Sequence, residues 1–186
     1  MKKLRQAAVA ALAFLVQIFL AERASAGDPR ATDAADLFVD LCVGNVLGLP
    51  STLDRSGLGF NKMDETFASN LTGREPGTPV YAFSFKASGA MLLISQGPRG
   101  LCVERVGDAN EADTQDAFRH AIQAAADRAG AKLEPGSTEV RDIQGAKVTY
   151  KSWTLRSDKA ALILALTTSP RLVGMAQHVM TASPTR

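Results

Sequence analysis

Val80-Tyr81-Ala82-Phe83-Ser84-Phe85-Lys86-Ala87, followed by Ser88-Gly89, Ala90-Met91-Leu92-Leu93-Ile94-Ser95, Gly97-Pro98-Arg99-Gly100 and Leu101-Cys102-Val103-Glu104-Arg105-Val106, decides the fold. In the first stretch Tyr81, Phe83 and Phe85 occupy alternate positions, the period of a half-buried strand. Ser88-Gly89 turns the chain into an apolar second run. Gly97-Pro98-Arg99-Gly100 turns it again into a third. Three consecutive strands joined by short hairpin turns make an antiparallel meander.

Working outward, Leu37, Phe38, Leu41, Cys42, Val46 and Leu47 recur at helical spacing between Thr32 and Leu47, with Thr32 or Asp33 as cap and Gly48 and Pro50 as the stop. Residues 51–60 allow at most a short helical turn, and 61–79 read mainly as loop. Beyond the meander, the acidic stretch Asp108 to Asp113 feeds a helix over 113–129, whose stripe is Phe118, Ala121, Ile122, Ala125 and Ala129. A second three-stranded meander follows in Thr138–Ile143, Ala146–Leu155 and Lys159–Thr167. Arg171–Met180 reads as a terminal helix with Leu172, Met175, Ala176 and Val179 inward. The order α-βββ-α-βββ-α predicts an α+β fold, an antiparallel sheet from two three-stranded meanders covered by helices.

At the N-terminus Lys2, Lys3 and Arg5 precede an apolar run from Ala7 to Ala21, and Ala24-Ser25-Ala26 offers a cleavage site. This pattern predicts a secretory signal over 1–26 and a single globular domain over 27–186, with Gly27 as mature N-terminus and a periplasmic or secreted location. The apolar run is shorter than the ~20 residues a bilayer-spanning helix needs, so no stable membrane anchor is expected after cleavage. The remaining chain has 17 basic and 18 acidic side chains, a formal charge of −1 against +2 for the whole sequence. The apparent basicity therefore belongs to the leader, and nothing clusters into the stripe that nucleic acid requires. Two cysteines in an exported chain favour a bond between Cys42, on the first helix, and Cys102, on the third strand.

Leu37-Phe38-Val39-Asp40-Leu41-Cys42, the pair Gly59-Phe60 and Gly100-Leu101-Cys102-Val103, behind a leader, resemble small uncharacterised proteobacterial periplasmic proteins with a helix cysteine and a strand cysteine. The resemblance spans about the first half of the mature chain. It implies a periplasmic protein and brings no functional residue with it.

Candidate chemistry is sparse. Asp116 and His120 stand at i, i+4 on the face of their helix opposite Phe118 and Ile122, which a solvated face explains without a reaction. His178, the second histidine, lies on the expected terminal helix. There is no Gly-x-Ser-x-Gly elbow. Gly57-Leu58-Gly59-Phe60-Asn61-Lys62 has Lys62 where a dinucleotide loop needs its third glycine. Asp108, Asn110, Glu111 and Asp113 lack calcium-loop spacing and serve as a helix cap. No catalytic residue, metal or cofactor is therefore expected. If Val148 and Tyr150 face the core, then Lys147, Lys151 and Trp153 share the other sheet face as a candidate interaction surface, with the terminal helix as cover for Trp153. The sequence thus points to a non-enzymatic binding or interaction module of the cell envelope, its partner a periplasmic protein or envelope component. The alternative is an envelope enzyme or small-ligand sensor whose pocket, lined by Tyr81, Phe85 and Tyr150, lies between sheet and helices.

Overall fold

A computed structural model describes residues 27–72, 78–97 and 100–185; the expected leader over 1–26 lies outside them. Asp28 opens helix α1 by accepting from the Arg30 N–H, with Pro29 at the first helical position, where a missing N–H costs nothing. The helix runs as α over Pro29–Phe38, widens to a π-helical segment over Val39–Gly44 and closes with an α turn, Asn45–Leu47. A Cβ on Gly44 would stand 3.2 Å from the Val39 carbonyl oxygen, so a larger residue there would press on the wide turn. Gly48 ends the helix in the left-handed region, as its sequence position predicts.

The strands are β1 (Leu58–Lys62), β2 (Val80–Phe85), β3 (Met91–Gln96), β4 (Cys102–Val106), β5 (Lys132–Ile143), β6 (Ala146–Arg156), β7 (Ala161–Val173) and β8 (Ala176–Pro184). Helix α2 (Glu65–Leu71) lies between β1 and β2, and α3 (Glu111–Ala129) between β4 and β5. All eight strands form one antiparallel sheet in the order β1-β2-β3-β4-β8-β7-β6-β5. The α+β class stands, but each meander has four strands instead of three, and β4 and β8 join them at the centre.

Three local readings change. The expected turn and loop over 51–79 contain β1, which pairs with β2 through Phe60 and Phe83, and α2, capped by Asp64 accepting from the Phe67 N–H. The expected terminal helix over 171–180 is the end of β7, a turn and the first part of β8. Along β8 the buried residues Ala176, His178, Met180 and Ala182 alternate, and the hairpin turns at Gly174, φ 65°. Residues 171–180 satisfy both periods, and the two open ladders of β4 and β7 settle the choice in favour of strand.

Helices α1 and α3 cover one face of the sheet. Phe38 of α1 packs on Phe118 of α3, and Phe118 on Trp153 of β6, each pair with ring centroids 5.4 Å apart. Leu92, Ile94, Leu155, Leu162, Leu164, Leu166 and Met180 rise from the sheet into the same buried cluster. Cys42 and Cys102 form the expected disulfide, tying the π-helical segment of α1 to β4 across 60 residues. Closing a loop of that length removes about 4 kcal/mol of unfolded-chain entropy. Trp153 therefore faces the helices, with α3 as its cover, and the expected face assignment of β6 is reversed.

Candidate functional site

In antiparallel strands, residues directly opposite one another project from the same face. One row of such partners crosses the whole sheet: Asn61, Ala82, Leu93, Arg105, Val179, Thr167, Tyr150 and Glu139. Each precedes or follows a residue that points at the helices, so the row lies on the face away from α1 and α3. From Ala82 to Tyr150 its members are half-buried rather than covered. Helix α2 shields only one corner of this outer face, where the Arg105 guanidinium donates to the Leu71 carbonyl oxygen at 3.5 Å.

Two hollows flank the middle of the row. One, of about 190 Å³, is lined on this face by Ala82, Met91, Leu93, Arg105 and Met175. Met91 and Met175 are 72 % and 56 % exposed, and two flexible thioethers at a rim adapt to varied apolar shapes. The other, of about 430 Å³, is lined by Glu139, Arg141, Ile143, Val148, Tyr150 and Thr167. Val179, between them in the row, sits on β8 at the centre of the sheet. Arg105 brings charge into the middle of the row, directly opposite Val179, and the Glu139–Arg141 ion pair supplies charge at the β5 end. Chemically this is a long strip in which apolar Ala82, Leu93 and Val179 alternate with polar Arg105, Thr167 and Tyr150, suited to contact over area.

Under the helices lies an arrangement of a different kind. Glu104 projects into the core beside its row partners Ile94 and Met180. It is fully buried, and both carboxylate oxygens lack a hydrogen-bond partner among the described residues. Burial pushes its pKa well above the ordinary carboxylate range, so the group is held neutral. His178, on the diagonal position of β8, is also fully buried. Its Nε2 lies 2.9 Å from the Ala109 carbonyl oxygen. A carbonyl only accepts, so Nε2 carries the proton. Nδ1 is then an acceptor, and it lacks a partner among the described residues. Burial lowers the basicity of this imidazole, against the opposing effects of the Ala109 hydrogen bond and of Glu111, Asp108 and Asp28. A neutral acid with a spare donor and a neutral imidazole with a spare acceptor thus occupy neighbouring strands in one layer.

The residues singled out from sequence are dispersed. Trp153 is half-buried against Phe118, the Lys151 ammonium donates to Gln115 Oε1 at 2.7 Å, and Lys147 alone of the three is exposed. They share a face, as expected, but it is the helix face. Tyr81 and Phe85 point toward the helices while Tyr150 points away, so one pocket cannot take all three. Asp116 and His120 are exposed on α3, each beside Arg119. Asn110 caps α3 by accepting from the Asp113 N–H, and Asp28 accepts from the Asn110 N–H. The acidic stretch is thereby used in joining the starts of α1 and α3. Among the described residues no group of three His, Cys, Asp or Glu side chains is placed to hold a metal ion, and no helix is long and apolar enough to cross a membrane.

Sequence reading missed Glu104, although the signal was present. Cys102 must point at α1 to form its bond, and the strand period then places Glu104, two residues on, in the core. No protein-family model, no curated protein and no solved structure matches the chain.

Proposed function

We propose that this protein is an exported binding module of the cell envelope and that its recognition surface is the outer sheet face. The observation that carries the reading is the row from Ala82 to Tyr150, half-buried residues that cross six strands with a hollow toward either end. A face of this shape fits an apolar, extended segment of a partner protein, with the contact energy coming from desolvating Leu93, Val179 and Tyr150. The Cys42–Cys102 bond supports an oxidising compartment and a rigid platform. The helices serve as the backing that keeps the sheet in register.

A photo-crosslinking residue at position 179 tests this in the envelope of the producing cell, with position 120 on the solvent side of α3 as control. The reading predicts a discrete adduct from 179 and none from 120. Equal labelling at both positions, or none at either, overturns it.

A further inference from the structure

Strand β5 pairs with β6 alone and forms one edge of the sheet. Its register shifts between Pro135 and Thr138, then runs regularly from Thr138 to Ile143. Every residue from Pro135 to Gly145 is exposed. An open edge of this length presents unpaired backbone N–H and C=O groups to any strand that approaches, and charges of one sign along it would repel a second copy. The charges here alternate instead. Glu139 and Arg141 stand two residues apart on the outer face and are ion-paired to each other. Val140, between them on the other face, is 61 % exposed.

We propose that β5 pairs antiparallel with β5 of a second copy about Val140, joining the two sheets edge to edge. In that register Glu139 of each copy opposes Arg141 of the other, Val140 opposes Val140, and Thr138 opposes Asp142. Four charges form a square in which every side is an attraction. Centring on Glu139 or Arg141 would oppose identical charges, and centring on Asp142 would oppose Asp142 to itself. Parallel in-register pairing would stack glutamate on glutamate and arginine on arginine. Directly opposed charges stabilise when unlike and destabilise when like, so one register is selected. The two-fold axis stands perpendicular to the sheet, so both outer faces point the same way. It brings the two hollows bordered by Glu139, Arg141 and Ile143 side by side. The contact is small and exposed, which makes the dimer weak and salt-sensitive.

Sedimentation velocity of the purified protein over a micromolar to millimolar series at low salt tests this. Wild type should pass from monomer to dimer, and added salt should reverse it. E139R and R141E should each remain monomeric, with Val140→Lys as an independent disruptor. The side chains of Glu139 and Arg141 are 45 % and 71 % exposed, so these variants keep the fold, as far-ultraviolet circular dichroism would show. Mixing E139R with R141E, or combining both changes in one chain, should restore the dimer. A wild type monomeric throughout, single variants that dimerise as well as wild type, or a mixture that stays monomeric would each overturn the proposal.

Discussion

The two faces of this sheet are built from the same strands, one residue out of step, and they do opposite work. On the helix side, the row Tyr81, Ile94, Glu104, Met180, Leu166 and Lys151 lies under α1 and α3, with all but its two end members fully or nearly fully buried. On the outer side, the adjacent row Ala82, Leu93, Arg105, Val179, Thr167 and Tyr150 is covered nowhere completely. The inner row tolerates one carboxyl only in neutral form. The outer row holds a guanidinium and a phenol, each on a half-buried residue. The contrast separates residues that hold the fold from residues free to make contact, and it implies that substitutions on the two faces have effects of different size and kind.

The largest effect belongs to Phe118, which joins α1 to β6 by stacking between Phe38 and Trp153. Phe118→Ala should cost about 3–5 kcal/mol, the range for removing a fully buried aromatic ring. Urea unfolding gives the loss, and Trp153 emission should shift to the red because its cover is gone. An unchanged emission maximum would mean that α3 is not what shields the indole.

What the sequence showed of this arrangement follows from which signals are local. The strands from Val80 to Val106, the helix over 113–129 and the cysteine pair were legible because period, turn residues and compartment each point one way. Strand β1, Leu-Gly-Phe-Asn-Lys, was not legible, because it carries a glycine and two polar residues and depends on β2 for its conformation. Residues 171–180 satisfy two periods at once, and only the neighbouring ladders decide between them. Beside Trp153, Lys147 and Lys151 suggest a solvent face by their charge, and that suggestion fails here. Lys151 runs its stem along the inner face and delivers its ammonium to Gln115, as long cationic side chains do. The outer row was illegible for a deeper reason: it exists only once β4 and β8 pair, and that register joins residues more than 70 positions apart.

The next effect in size is a dependence on pH. Glu104 is held neutral in the folded chain and ionises freely when unfolded, so the folded state binds the extra proton. Its stabilising contribution is fully present below the unfolded value near 4.5 and is lost as pH rises through the folded value. One proton gives a slope of at most about 1.4 kcal/mol per pH unit. His178 acts in the opposite sense: its folded basicity is lowered, so stability is full above about 6.5, the ordinary histidine value, and is lost as pH falls through the folded one. Between the two ordinary values the slopes oppose. Glu104→Gln should remove the decline toward alkaline pH and leave the decline toward acid. Chemical denaturation of both proteins at pH 5, 7 and 9 reads this directly, and parallel profiles would show that Glu104 does not set the slope.

The smallest effect on stability, and the one that bears most on function, is expected on the outer row. Val179 lies on β8 between Arg105 and Thr167, half-exposed, with no helix above it among the described residues. Its strand is central and paired on both sides, so changing the side chain leaves the ladder intact. Threonine preserves both β-branching and volume while replacing one methyl with a hydroxyl that water can satisfy. Val179→Thr should therefore leave unfolding free energy within about 0.5 kcal/mol of wild type, the usual range for a surface substitution. The same change replaces the apolar member that separates Arg105 from Thr167, between the two hollows, with a polar one. A partner segment that desolvates this position would leave the hydroxyl unpaired and lose roughly 1–3 kcal/mol of binding, which is about fivefold to a hundredfold in affinity. The comparison that decides is Val179→Thr against Ile163→Thr, a somewhat larger change to the same residue type on the same face but off the row. Adduct yield from a photo-crosslinker at position 93 should fall for the first and hold for the second. If both changes lower the yield alike, the outer face binds without a preferred track; if neither does, contact is made elsewhere on the molecule.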